Sequence, residues 1–246
     1  MERRVLMAAD RVLCASRTHE QAILAEFGGT VASRLVFLPN GIEIEGAEPV
    51  TRESAAHGRK RIVTTGTLVD VPALFAFLEA LARRLAREPA LAERIEVVLA
   101  GPHDAALLHR VETLGLGRVV RFPGILPHAE ARALQRAADT LLFVRNEGPG
   151  YAAMVPGKLY EYLDARRPLV AMVAPSEAAD LAREAGAVVV APHEGDRAVT
   201  AALADPAAGA GAPSPDPAAI ARLLAGRSRR ELAQQLAHVL DSLTRA

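Results

Sequence analysis

The amino-acid sequence predicts an α/β fold built on a doubly wound, mostly parallel sheet, and three observations carry that reading. Six short β-branched runs recur after residue 60: RIVTTG, EVVLAG, VVRFPG, TLLFVR, PLVAMV and AVVVAP. Each is nearly continuous in apolar residues, as strands buried on both faces of a parallel sheet must be. Between them lie amphipathic stretches, ALFAFLEALARRLA, DAALLHRVETLG, AEARALQRAAD and EAADLAREAG, of a length that suits the crossover helices of βαβ units. Right-handed crossovers between parallel strands lay helices on both faces and leave an open, Rossmann-like sheet.

In chain order, residues 1–42 carry a shorter version of this grammar: a helix to Asp10, the strand RVLCAS, the helix THEQAILAEFG and the strand RLVFLPNG. Two parallel strands are too little sheet to cover their helices. They either extend the main sheet or belong to another domain. Residues 43–60 are polar and aperiodic and read as a linker. The main unit spans 61–225, and the stretch DPAAGAGAPSPDPAA near its end reads as a mobile loop. Residues 226–246, with SRRELAQQLAHVLDSLTRA, close the chain as a helix.

Composition narrows the function. With 246 residues the chain buries a core of ordinary size, and 29 basic side chains balance 29 acidic ones, so no global field draws it to nucleic acid or an anionic membrane. Trp is absent and aromatics are few, which also argues against base-stacking surfaces. No run approaches the roughly 20 apolar residues of a membrane helix. The start, MERRVLMAADRVL, is interrupted by charge too early for a secretory signal and reads as an amphipathic helix. Cys14 is the single cysteine; it excludes a disulfide framework and a multi-cysteine metal site, reads as a small core residue, and fits a reducing cytoplasm.

Ligands of such sheets bind outside the carboxyl ends of the strands, where strand order reverses. Those ends read TGTLVD, AGPHD, PGILP, RNEGPG, APSE and APHEG. The turn NEGPGYAAMVPG, residues 146–157, stands out as too long and glycine-rich for a minimal connection. A helix beginning at Gly157 would aim its free N–H groups and positive dipole end at that loop, a ready site for a phosphate or diphosphate. Lys158 would add a full charge, and Glu161, one turn on, could accept hydrogen bonds from a ligand's hydroxyl pair. From spacing alone, a solvated Lys/Glu pair worth a few tenths of a kcal/mol explains the same two residues more simply. His103 reads as a polar turn residue, and no His/Asp/Glu group has zinc-ligand spacing. No G-x-S-x-G, P-loop or G-x-G-x-x-G element stands at a strand-to-helix junction, which counts against a hydrolase, an NTPase and a dinucleotide dehydrogenase.

Several pieces together resemble a known family. ADRVLCASRTHEQAILAEFG followed by VFLPNGIE resembles the junction between the two domains of retaining glycosyltransferases of the two-Rossmann-domain, or GT-B, architecture. RIVTTGTLVDVPALFAFLEAL resembles the first strand and helix of their donor-binding domain, and VVRFPGILPHAEARALQRAADTLLFV and VPGKLYEYLDARRPLVAMV its later part. The resemblance spans nearly the whole chain. It implies that residues 61–225 bind a nucleotide-activated sugar, with no metal or cofactor, and that residues 1–42 are the remnant of an acceptor-binding domain. By position, Glu161 matches the glutamate that holds the nucleotide ribose, Gly124 and Ile125 fall where members contact the base, and Gly66 and Thr67 fall near the diphosphate.

Three departures accompany it. Many retaining members carry a second glutamate eight positions before the one matching Glu161, where this chain has Ala153. Glu147, beside Gly148 and Gly150 in the long loop, is the candidate substitute. Many members place cations in the first loop, whereas the stretch from Thr67 to Pro72 has none, leaving Lys158 as the replacement. Finally, only the tail of the first domain is present. The resemblance thus implies the donor half of a bacterial, cytoplasmic transferase, whose partners would be a sugar nucleotide and a separate acceptor-binding domain or chain. A noncatalytic nucleotide-sugar binding module and a sugar-nucleotide epimerase of the same architecture are the alternatives.

Overall fold

Alternating burial explains why the apolar runs become strands. In the computed structural model, which describes residues 2–43, 58–145, 147–205 and 212–244, successive residues of each central strand enter opposite cores. Ile62 packs on one face and Val63 on the other; Val97 and Leu99 share the first face while Val98 takes the second. The same alternation separates Leu142 from Leu141 and Phe143. This is the period of two that a strand covered on both faces requires.

The front unit comprises α1 (Glu2–Ala8), β1 (Val12–Cys14), α2 (Arg17–Phe27), α3 (Gly29–Ala32) and β2 (Leu35–Phe37). Its strands are parallel and form a two-stranded sheet of their own instead of extending the larger one. Its core is small, with Leu6, Cys14, Ile23 and Val31 at its centre. The buried Cys14 is the core residue expected; burial, and secondarily the charge of Glu20, push its thiol pKa up.

The main unit runs β3 (Lys60–Thr65), α4 (Pro72–Arg87), β4 (Ile95–Ala100), α5 (Ala105–Thr113), β5 (Val120–Gly124), α6 (His128–Arg136), β6 (Thr140–Val144), α7 (Pro149–Ala152), α8 (Gly157–Asp164), β7 (Leu169–Met172), α9 (Glu177–Glu184), β8 (Val188–Val190), α10 (Gly195–Leu203) and α11 (Pro217–Leu224). Its six strands are all parallel, in the order β5-β4-β3-β6-β7-β8. Every run read as a strand is one. On one face α4 inserts Leu74, Phe77, Leu78 and Leu81, each 0% exposed, at about 1.5–3 kcal/mol of transfer free energy per side chain. The other face is covered by α8, α9 and α11.

Three boundaries differ from the sequence reading. Lys60, assigned to the linker, already pairs with Ile95 in β3, and residues 44–57 of that linker lie outside the described residues. The stretch read as a mobile loop ends in a helix start: Asp216 accepts from the N–H groups of Ala218 and Ala219, and Pro217 occupies the first turn of α11, where its missing N–H costs nothing. Residues 206–211 of the same stretch lie outside the described residues. The closing helix, α12 (Arg229–Thr244), begins three residues later than the boundary at 226 and is tied back to the front unit. Ile42 N–H donates to the Arg227 carbonyl, and Arg229 N–H to the Ile42 carbonyl, both at 2.9 Å.

Candidate functional site

The chain steps from β3 to β4 and β5 in one direction, then returns to build β6, β7 and β8 on the other side of β3. A crevice opens above the carboxyl ends of strands at such a reversal. Helix α8, reached from β6 through the long loop and α7, lies there. Leu159, Tyr160, Tyr162 and Leu163 are its buried residues, and Tyr162 fixes its register against β3: the hydroxyl accepts from Thr65 N–H at 2.7 Å. With Tyr162 locked inward, the preceding residue, Glu161, is placed at the rim of β3.

There the Glu161 carboxylate is 16% exposed. Its Oε2 accepts from Lys158 Nζ at 2.8 Å and from Gln135 Nε2 at 3.1 Å, and its Oε1 is 3.7 Å from His128 Nε2. Burial alone would raise its pKa. The hydrogen bonds from Lys158 and Gln135, with the charges of Lys158 and Arg132, outweigh that and hold it below the usual glutamate range. The pair that spacing alone would leave solvated therefore forms, but in a partly buried setting. Lys158, 28% exposed, reaches toward β3: its Cε is 3.7 Å from where a Cβ on Gly66 would stand.

The start of α8 differs from four of the other helices. Side chains of Ser16, Asp104, Ser176 and Asp216 cap α2, α5, α9 and α11. Pro156 at the corresponding place before α8 offers no side-chain cap, and no acidic residue occupies the first turn. Among the described residues no side chain caps the amides of Gly157 and Lys158, which are left for another acceptor. Below them the floor is main chain. Gly66 N–H donates to the Ala100 carbonyl at 2.9 Å and Gly101 N–H to the Gly124 carbonyl at 2.8 Å. A Cβ on Gly101, at φ 137°, would lie 2.0 Å from the Gly66 carbonyl oxygen, so only glycine permits the approach.

The remaining sequence candidates occupy two places. Thr67 is exposed just past Gly66, and Ile125, 77% exposed, follows Gly124 on the way to His128 at the start of α6. His103 turns aside, its Nδ1 2.9 Å from the Gly101 carbonyl and its ring against Phe122. The second place is the long loop before α8. Glu147 accepts from Ala174 N–H at 3.1 Å and so braces the loop to the end of β7. Gly148, at φ 136°, precedes α7, in whose backbone Gly150 lies; this short helix is the reason the connection is long. The front unit holds the same loop: Ser16 Oγ donates to the Ala153 carbonyl, and Asn40 Nδ2 to the Val155 carbonyl at 2.8 Å.

Arg132, Gln135 and Thr65 were not singled out from the sequence, yet they are the buried polar residues behind Glu161. Arg132 and Gln135 lie one turn apart in AEARALQRAAD, where the stripe through Leu134 is the natural apolar face; nothing local says that the polar stripe turns inward. Among the described residues no three His, Cys, Asp or Glu side chains converge as a metal site would require. No helix among them is long and apolar enough to cross a membrane.

The sequence pattern of one family, Glycosyl transferases group 1, matches residues 59–206, more than half of the chain. The chain belongs to this family. The match covers β3 through α10, the unit that contains Glu161 and Lys158. No curated protein sequence matches this group 1 glycosyl transferase, but solved structures share its fold. Anabaena HepE (Alr3699), in complex with UDP, aligns with a TM-score of 0.72 at 17% identity over 97% of this chain and 65% of its own. A second HepE structure, in complex with UDP-glucose, gives a TM-score of 0.69 at 18% identity over 95% of this chain and 64% of its own. Sucrose-phosphate synthase from Thermosynechococcus elongatus gives a TM-score of 0.68 at 18% identity over 99% of this chain and 60% of its own. The group 1 chain thus spans less than two thirds of these GT-B relatives.

Proposed function

We propose that this chain carries the donor-binding half of a glycosyltransferase, moving a glycosyl group from a nucleoside diphosphate sugar to an acceptor. The observation that carries the proposal is an ionised carboxylate, Glu161, held at the rim of β3 within one turn of an uncapped helix start and beside Lys158. A carboxylate there suits two ribose hydroxyls, and amides with a lysine suit a diphosphate. Gly66, beside Lys158 Cε, leaves space for the diphosphate oxygens, and Ile125 offers an apolar surface for a base. As the bond from the anomeric carbon to the β-phosphate oxygen breaks, the leaving diphosphate takes up negative charge. The α8 dipole and Lys158 would stabilise that charge.

HepE, similar in fold, is seen with UDP and with UDP-glucose, which makes uracil nucleotides the first to test. Calorimetric titration of this chain with UDP, GDP, ADP, TDP and their glucose conjugates should give saturable binding of at least one nucleotide, lost on removing its phosphates. Binding to none of them would sink the proposal.

A further inference from the structure

Arg132 and Gln135 are 1% and 0% exposed, an uncommon depth for such groups unless every polar atom is occupied. Arg132 donates to Gln135 Oε1 at 3.0 Å, to the Glu161 carbonyl at 2.7 Å and to the Asp164 carboxylate. Arginine can only donate. The Gln135 oxygen must therefore face it, which commits the Gln135 amide group to Thr65 Oγ1 at 3.0 Å and Glu161 Oε2 at 3.1 Å. The orientation of this amide is thus set by a charged neighbour and not free to flip.

The two donors on Glu161 Oε2 are unequal. Lys158 is partly exposed, on a flexible stem, and close to Gly66, so it can turn to an arriving anion. Gln135 is fixed from behind. We propose that Arg132 and Gln135 are positioning residues that hold the Glu161 carboxylate charged and aimed at a ribose while Lys158 exchanges it for the diphosphate. Departure of Lys158 then frees acceptor capacity on Oε2 for a ligand hydroxyl without releasing the side chain. This inference rests on the donor-site reading above and adds the part of the site that the ligand never touches. The lowered pKa of Glu161, to which both Gln135 and Arg132 contribute, agrees with it.

The test compares UDP, or whichever nucleoside diphosphate binds tightest, with its 2′,3′-dideoxy counterpart by calorimetry over a range of acidic to neutral pH. Gln135→Met keeps the bulk and removes the donor. It should cut the preference for the ribonucleotide about tenfold, near the effect of one hydrogen bond to a charged group, with dideoxy affinity unchanged. The acid loss of ribonucleotide binding should also move to higher pH. Should Gln135→Met fail to fold, Arg132→Lys, which keeps the charge but not the fork, should give a smaller change in the same direction. An unaltered preference and acid limit in the folded variant, while Glu161→Ala abolishes the preference, would reduce Arg132 and Gln135 to core residues and overturn the inference. A preference that survives Glu161→Ala would remove the ribose role of Glu161 itself, and the inference with it.

Discussion

Glu161 receives opposed influences, and their balance gives predictions about binding and stability. Glu161→Ala should weaken nucleotide binding by about 1–3 kcal/mol, the range for a hydrogen bond to a charged group; unchanged affinity in a titration would remove the assignment. Because the folded pKa lies below the ordinary value, the unfolded chain binds the extra proton in the interval between the two. The stabilisation is therefore complete above the unfolded value and disappears as pH falls through the folded one. The Tm difference between the native protein and Glu161→Gln should accordingly be present at neutral pH and close as the pH falls below the ordinary glutamate value. A constant difference would contradict the shift. Lys158→Ala should cost UDP more than uridine, since only the former presents a diphosphate; equal losses would place Lys158 elsewhere. Lys158 and Glu161 were legible because one helical turn and one uncapped start put them together. Arg132 and Gln135 were not, because their partners come from β3 and α8, and only tertiary packing brings those elements to α6.

Among the elements, the strands were readable because burial on both faces writes itself as an unbroken β-branched run. Helices α7 and α11 were not: PGYA and the turn SPDPAA carry glycine and proline, which read as loop until a cap such as Asp216 is seen to use them. Packing between helices is equally silent in sequence. Gly195 opens α10 where it crosses α4, and a Cβ there would lie 2.1 Å from the Ala76 carbonyl oxygen. Gly195→Ala should therefore destabilise by about 1–3 kcal/mol, the range for overpacking, in urea unfolding. Gly117→Ala, with nothing within 4 Å of the new atom, should stay within about 0.5 kcal/mol. Similar losses at both sites would mean that the α4 and α10 backbones part easily.

At the scale of the molecule, the front unit and α12 are joined through few atoms. Leu232 is the buried residue of α12 and would meet a Cβ on Gly41 at 2.6 Å. Leu232→Ala should loosen α12, seen as faster amide hydrogen exchange confined to residues 229–244, while β3 to β8 keep their protection; uniform acceleration would instead tie α12 to the global core. At the other side, Thr18 N–H donates to the Glu177 carboxylate at 2.8 Å, a further strut between the units. Where Gly101 meets Gly66, backbone abuts backbone, and selection finds no side chain there to adjust. Under the proposed donor site, differences in ligand preference would fall to exposed margins such as Ile125 and Thr67, which can change while the strands beneath them stay as they are.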